Sequence, residues 1–287
     1  MNSIAGALAA ARQAIPIAEA RLLLRHVLDA NAAWLEAHRD DLLPRSAAEA
    51  FAALVERRAA GEPVAYLLGF REFYGREFSV TPDVLIPRPE TELLVEIGQK
   101  KVMRSGIPGD GGSATASLLD LGTGSGCVAI TLALELPQAR VSAADISAAA
   151  LAVARANATL LGAHVSFVES DWLACFAGQR FDVIVANPPY VAAGDPHLNA
   201  GDLRFEPPSA LACGADGLDA IRSIIADASR HLEAGGWLLL EHGYDQAAAL
   251  RELLAAAGFD DIEQHRDLAG IVRVSGGRLT KDQEALN

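Results

Sequence analysis

The stretch around residues 117–135 constrains the fold most. A short apolar run, SLLDL (117–121), passes into Gly122-Thr123-Gly124-Ser125-Gly126 and then into the helical pattern CVAITLALELP. Strand, glycine turn and helix in this order form a recognisable unit. Glycine has no Cβ, so glycines at alternate positions let the backbone pass close beneath another group. The alternation then continues. ARVSAADIS, HVSFVES, FDVIVANPPY, GGWLLLEHG and IVRVSGG read as strands, and AAALAVARANATLLG and DQAAALRELLAAAGF as helices. This predicts a doubly wound α/β sheet with its ligand site at the C-terminal ends of the strands.

Upstream, residues 3–69 read as helix after helix, punctuated by Pro16, Pro44 and Pro63. In 17–30, Ile17, Leu22, Leu23, Leu24, Val27 and Leu28 recur near helical spacing and predict one apolar face. Ser46 with Glu49 has the capping-box pattern, and Gly61 is a candidate C-cap. Residues 70–86 change character, with two aromatic or β-branched runs flanking Gly75, which predicts a hairpin linker. Residues 87–103 read as a helix with Pro89 near its first turn. The Gly/Ser-rich stretch 104–117 predicts a flexible surface loop, and the polar tail 276–287 a frayed end. The expected domains are 1–69, a small helical bundle; 70–86, a hairpin linker; and 87–287, the α/β domain.

Charge bounds the partners. The net charge is −13, and residues 81–287 carry −12 of it. A chain that grips duplex DNA needs a positive footprint, which these totals do not provide. The three cysteines, Cys127, Cys175 and Cys213, are widely spaced and form no CxxC, so neither a disulfide framework nor a zinc site is expected. The histidines form no ligand-spaced cluster, and His26 and His38 read as packing or surface residues of helices. No apolar run approaches the ~18 residues needed to span a bilayer. The expectation is a cytoplasmic protein without a metal.

Two motifs carry chemistry. The glycine loop, with Asp145 at the end of the next strand, implies a cofactor containing adenosine, whose ribose hydroxyls a carboxylate would meet. Asp145 also reads as a helix N-cap. Gly124 to Ala129 formally satisfies GxGxxA, which keeps a nicotinamide cofactor open, whereas Asp-Leu-Gly-x-Gly-x-Gly resembles motif I of class I methyltransferases, which bind S-adenosylmethionine. The second motif is Asn187-Pro188-Pro189-Tyr190. An amide or exocyclic amine nitrogen is a poor nucleophile because its lone pair is delocalised. The Asn187 side-chain oxygen and the Pro188 carbonyl can accept its two N–H groups and orient that lone pair. Proline presets the carbonyl direction, and Tyr190 offers a flat face for stacking.

The chain resembles the bacterial protein-(glutamine-N5) methyltransferases that modify peptide chain release factors, the PrmC/HemK family. The matching stretches are GFREFYG (69–75), LIPRPETE (85–92), Asp120–Gly126, Asp171-Trp172, Asn187–Tyr190, RFEP (204–207), LLEHG (239–243) and RDLAG (266–270). The resemblance implies a class I (Rossmann-like) methyltransferase sheet, a five-helix N-terminal substrate-recognition domain and a hairpin linker. It implies S-adenosylmethionine as donor, S-adenosylhomocysteine as product, and the glutamine of the Gly-Gly-Gln loop of class I release factors as acceptor. Gly122, Thr123, Gly124, Ser125, Gly126, Asp145, Trp172 and Asn187 would hold the cofactor. Asn187, Pro188, Pro189 and Tyr190 would hold the glutamine amide, with Asn187 and Pro188 catalytic. Trp172 also reads as core packing, Asp171 as a turn cap, and Glu92 as either a contact to the cofactor amino group or a helix-dipole residue. Ile271-Val272 and Cys213 depart from the family pattern. Neither direct nucleic-acid binding nor a membrane is expected. The alternatives are an adenine-N6 nucleic-acid methyltransferase, a degenerate binding module and a nicotinamide dehydrogenase, the last without a side chain suited to hydride transfer.

Overall fold

The computed structural model describes residues 3–104 and 115–280. Residues 105–114 of the expected Gly/Ser-rich loop and 281–287 of the expected tail lie outside the described residues. The chain divides into two compact units: Met1–Arg71 with Asn199–Phe205, and Glu72–Leu198 with Glu206–Asn287.

The first unit is built from α1 (Ile4–Ala11), α2 (Ile17–Leu28), α3 (Ala32–Ala37), α4 (Arg45–Ala59) and α5 (Val64–Leu68) around Leu23, Leu24, Leu35 and Phe51. Pro16, Pro44 and Pro63 are the N-cap residues of α2, α4 and α5. The Ser46/Glu49 capping box does not form. Pro44 sets the entry to α4, so Ser46 falls inside the first turn, and Glu49 accepts from Arg45 Nε at 2.8 Å. At the other end the N–H groups of Gly61 and Glu62 bond the carbonyls of Arg58 and Arg57, which makes Gly61 (φ 98°) the expected glycine terminus. The apolar face of α2 is narrower than expected. It buries Ala20, Leu23 and Leu24, whereas Ile17 and Leu22 are exposed. Each residue turns ~100° about the axis, which carries Leu22 off the stripe, and Ile17 sits at its end. Arg58 joins Glu19 (2.7 Å) and Asp202 (2.9 Å) within this unit.

The hairpin of β1 (Phe70–Phe73) and β2 (Arg76–Ser79) turns through Tyr74 and Gly75, both at positive φ (54° and 73°). Such a turn matches the right-handed twist of the two strands. Next come a short 3₁₀ turn at Pro89–Thr91, α6 (Glu92–Arg104), β3 (Ser117–Leu121), α7 (Cys127–Glu135), β4 (Arg140–Asp145), α8 (Ala148–Leu161), β5 (Val165–Glu169) and β6 (Phe181–Ala186). The chain ends with α9 (Pro208–Leu211), α10 (Asp219–Ala228), β7 (Leu232–Glu241), α11 (Ala247–Ala256), β8 (Asp260–Arg266) and β9 (Val272–Arg278). The seven-stranded sheet has the order β5-β4-β3-β6-β7-β9-β8, parallel except for β9, which runs antiparallel to both of its neighbours. This is the expected α/β class. Residues 276–278, expected in the tail, belong to β9. The strand β8 escaped the sequence reading because DDIEQHR lies at the sheet edge, where half-exposed polar side chains hide the alternation.

Apolar layers cover both faces of the sheet. Leu118 packs with Leu94, Val128 and Ile130 in one layer; Leu119 and Leu121 pack with Ile221, Ile224 and Leu250 in the other. A fully buried leucine contributes about 1.5–3 kcal/mol, so β3 anchors both layers. Among the described residues no helix is long and apolar enough to cross a membrane.

The glycines of the loop after β3 do different work. Gly126 (φ 83°) is the N-cap of α7, and a Cβ there would stand 2.7 Å from Ile130 Cδ1 and 3.1 Å from Ala154 Cβ. Gly124 (φ 54°) has nothing within 4 Å of a Cβ. We expect Gly124→Ala to cost about 1–2 kcal/mol of backbone strain and Gly126→Ala about 1–3 kcal/mol more from overpacking. Urea unfolding of the two variants, read as midpoint at constant slope, checks the order.

Candidate functional site

Strand order locates the site. The chain runs outward from β3 through β4 to β5, then returns to β6 on the other side of β3, so the topological switch lies between β3 and β6. A crevice forms at the C-terminal ends of such strands. The register aligns those ends. Leu121 is opposite both Ala144 and Ala186, and Ala186 is opposite Leu240. The residues that follow, Asp145, Gly122, Asn187 and Glu241, therefore form one row across four strands. A separate cavity at the N-terminal ends of the strands, lined by Arg140, His164 and Phe181, contains none of the expected site residues.

The glycine loop is pinned from below. The N–H groups of Gly122 and Thr123 bond the carbonyl of Ala144 at 2.8 and 2.9 Å. Thr123 Oγ1 donates to buried Asp120 at 2.6 Å, and burial pushes the Asp120 carboxyl up to about 7. Asn157, fully buried in α8, donates to the carbonyls of Ser125 (2.9 Å) and Ser79 (3.0 Å) and accepts from the N–H of Ser79 (2.8 Å). This buried amide thus ties the glycine loop to β2. Asp145 accepts from the N–H of Gly124 with one oxygen and from the N–H of Ser147 with the other, each at 2.9 Å. Ser147, not Asp145, is the N-cap of α8.

Trp172 (φ 44°) is half-buried and packs over Gly122, with its ring 3.3 Å from where a Cβ would stand. Asp171 beside it is exposed, and its carbonyl accepts from the N–H of Ala174. Glu92 opens α6 and accepts from the N–H of Tyr74 at 2.9 Å, so it holds the hairpin turn.

The segment Asn187–Tyr190 leaves the end of β6. Asn187 Nδ2 donates to Thr91 Oγ1 at 3.2 Å, and Asn187 Oδ1 is buried without a hydrogen-bond partner among the described residues. Pro188 is buried, and Pro189 and Tyr190 are half-buried. The Tyr190 carbonyl accepts from Gln246 Nε2 at 3.0 Å, and Gly217 packs so closely that a Cβ would stand 2.2 Å from that oxygen. Burial pushes the Tyr190 phenol up to about 12, so it stays neutral.

Several supporting residues escaped the sequence reading. Glu206 of RFEP is buried, accepts from the N–H of Ile86 at 2.9 Å and pairs with Arg88. It thereby ties that motif to IPRPE. Glu241 is buried at the end of β7 and pushed up to about 7 by burial, a rise that the neighbouring Thr91 and Arg273 oppose. Gln246 also accepts from the N–H of Gly243 at 2.9 Å. A lone polar residue on an apolar helix face was the available signal for Asn157; the others carried none beyond motif membership. The departures are absorbed locally: Asp267 accepts from the N–H of Ile271 at 2.9 Å, and Cys213 Sγ from that of Ala220 at 3.2 Å. Among the described residues no group of three or more His, Cys, Asp or Glu could hold a metal ion, and the three cysteines are free.

Comparison with known proteins agrees with this fold. Residues 1–69 match the model of the PrmC N-terminal domain, and residues 107–206 that of the methyltransferase small domain. The chain is 53% identical over 268 residues to the release factor glutamine methyltransferase of Burkholderia pseudomallei, covering 91% of each chain. It is 50% identical to that of Xylella fastidiosa, covering 97% of this chain and 98% of the relative. Among solved structures, the 16S rRNA N2 G1207 methyltransferase of T. thermophilus, in complex with AdoMet and guanosine, superposes with a TM-score of 0.52 at 20% identity over 73% of this chain and 49% of that one, a likeness of fold. The sheet has the class I methyltransferase fold, and the chain belongs to the release factor glutamine methyltransferase family.

Proposed function

We propose that this chain transfers a methyl group from S-adenosylmethionine to the side-chain amide nitrogen of the glutamine in the Gly-Gly-Gln loop of class I peptide chain release factors. The observation that carries the reading is Asn187: a buried amide oxygen without a partner, one position along the row from the glycine loop. A buried unsatisfied acceptor is uncommon and costs about 1–3 kcal/mol, so it calls for a donor from outside the chain. A substrate amide N–H is such a donor.

The residues at the strand ends fit the cofactor. Gly124 has open space above its Cα, the half-buried Asp145 carboxylate stands at the end of β4, and the Trp172 ring lies over Gly122. Gly122–Gly126, Asp145, Trp172 and Asn187 would hold it, with Asp145 turned to the ribose hydroxyls and Trp172 beside the adenine. When bound, S-adenosylmethionine supplies an electrophilic sulfonium methyl and leaves as S-adenosylhomocysteine. Asn187 Oδ1 and the Pro188 carbonyl accept the two N–H groups of the glutamine amide. That fixes the amide plane and turns its nitrogen lone pair toward the methyl donor. Tyr190 stays neutral and gives the planar amide an apolar face. These acceptors also stabilise the positive charge that develops on nitrogen as the new N–C bond forms. The proton then leaves to solvent from a much stronger acid than the starting amide, so no strong base is needed beforehand. Positioning supplies most of the catalysis.

The helical unit, residues 1–69 by sequence, is assigned to release-factor recognition and residues 70–86 to the linker. No nucleic acid, membrane or metal takes part, and the protein works in the cytoplasm. The test is methyl transfer from labelled S-adenosylmethionine to a purified release factor, with a loop Gln→Ala variant and duplex DNA as parallel acceptors. Label on the wild-type factor alone is expected. Label on DNA would move the chain to adenine-N6 chemistry.

Two variants resolve the roles. Asn187→Ala should lower the transfer rate by at least ~100-fold, as removal of one oriented acceptor does, while calorimetry finds cofactor affinity within a few-fold of the parent. Equal loss of both would assign Asn187 to cofactor binding alone. Gly124→Val fills the space beneath the cofactor and should abolish S-adenosylhomocysteine binding while circular dichroism stays unchanged. Binding at parental affinity would mean that the loop holds something else.

A further inference from the structure

The row of strand ends holds two carboxylates, Asp145 and Glu241. Both oxygens of Asp145 accept from backbone N–H groups. Glu241 is only 1% exposed, yet its Oε2 has no hydrogen-bond partner and it forms no ion pair among the described residues. The two guanidiniums whose charge reaches it are paired elsewhere, Arg88 with Glu206 and Arg273 with Asp267 at 3.2 Å. A buried charge without a partner destabilises a fold, and a neutral side chain of the same shape would serve the core better. The charge that Glu241 balances therefore comes from outside the chain.

The sheet shows where that charge stands. Successive side chains on a strand point to opposite faces. Val185 and Leu239 pack in the layer that holds Leu94 of α6 and Val128 of α7, and Ala186 and Leu240 pack in the opposite layer. The next residues, Asn187 and Glu241, return to the first face. The pairing of Ala186 with Leu240 sets them side by side on strands roughly 5 Å apart. The Asn187 bond to Thr91, in the turn before α6, agrees with that face. The strands run in the order β4-β3-β6-β7, so Glu241 lies beyond Asn187 as seen from the glycine loop and Asp145.

Methyl transfer forms a bond from the amide nitrogen to carbon and breaks the bond from that carbon to sulfur, whose electron pair stays on sulfur. A unit of positive charge passes to the nitrogen. Along this row the charge moves from the β3 end to the β6 end, which is toward Glu241. A fixed negative charge placed there favours the transition state over the bound reactants. We propose that the Glu241 carboxylate stabilises, through its field, the positive charge that develops on the substrate amide nitrogen. This rests on the reading of Asn187 as the acceptor for that amide and of the glycine loop as the cofactor cradle.

The carboxylate acts only when ionised. Burial pushes it up to about 7; Arg273 and Arg88 oppose the rise, and Glu90 adds to it. The other titratable groups around it are neutral. Burial pushes the Cys127 thiol of α7 and the Tyr190 phenol up to about 12, and holds the neighbouring His242 imidazole below its ordinary value.

The test compares the parent, Glu241→Gln and Asn187→Ala. Glu241→Gln keeps the shape and removes the charge. It should lower the maximal single-turnover rate about 10-fold, while half-saturation by the release factor and S-adenosylhomocysteine affinity change less than about threefold and the urea midpoint does not fall. The parent rate should drop between pH 8 and pH 6, and Glu241→Gln should flatten that drop. A second readout needs no turnover. Release factors carrying ornithine or norleucine in place of the loop glutamine, made by peptide ligation, are titrated into enzyme loaded with S-adenosylhomocysteine. Ornithine sets an ammonium where the amide nitrogen would be, and norleucine a methyl. The preference for ornithine over norleucine should fall about 10-fold in Glu241→Gln. An unchanged preference, a rate within threefold of the parent, or a drop with pH of the same size in Glu241→Gln overturns the proposal. Should Asn187→Ala transfer at the parental rate, the acceptor reading beneath it fails; should Asn187→Ala be slow and Glu241→Gln fast, only the role of Glu241 does.

Discussion

The pairing of β3 with a parallel strand on each side is the constraint on which the site depends. Parallel neighbours end at the same edge of the sheet, and here the register aligns Ala144, Leu121, Ala186 and Leu240. The next residue on each strand is then Asp145, Gly122, Asn187 or Glu241. These groups are far apart in sequence, yet ladder spacing of roughly 5 Å per strand makes them neighbours. A shift of one strand by a single residue would exchange its two faces and break the row. The full burial of Leu118, Leu119 and Leu121 in layers on both faces opposes such a shift.

Beneath the row, the polar groups hold one another. Asn157 is satisfied by Ser79 and Ser125, Glu206 by Ile86 and Arg88, and Gln246 by Gly243 and Tyr190. A hydrogen bond of this kind contributes a net ~0.5–1.5 kcal/mol, but breaking one leaves a buried group stranded at greater cost. The loops that carry the glycines and Asn187–Tyr190 are therefore rigid for energetic reasons before any ligand arrives. Against this background the unpartnered oxygens of Asn187 and Glu241 stand out. They lie at neighbouring strand ends of the row, where Asn187 Nδ2 already donates to Thr91 Oγ1.

Much of this was legible along the chain because it is written in local patterns. The period of β3 and its glycine turn, the apolar faces of the α/β helices and the Tyr74-Gly75 hairpin each follow from neighbours in sequence. So does the α/β class. Local reading failed where a tertiary effect outweighed it. Pro44 moved the start of α4 ahead of Ser46. Edge placement hid β8 behind polar side chains. Leu22 is apolar yet exposed, because the partner helices cover only the Ala20–Leu24 side of α2.

By itself, the sequence determined which groups were available: a loop with glycine at alternate positions, a carboxylate at a strand end, and an amide followed by two prolines, each specified within a few residues. Only the tertiary structure decided how they face. The Asn187 side chain meets Thr91, 96 residues earlier, through a hydrogen bond that exists only once the turn before α6 reaches the end of β6. Glu206 and Arg88, 118 residues apart, likewise become partners only in the fold. A hydrogen bond acts over about 3 Å and carries no trace in sequence spacing, whereas helix and strand periods are set by the backbone itself.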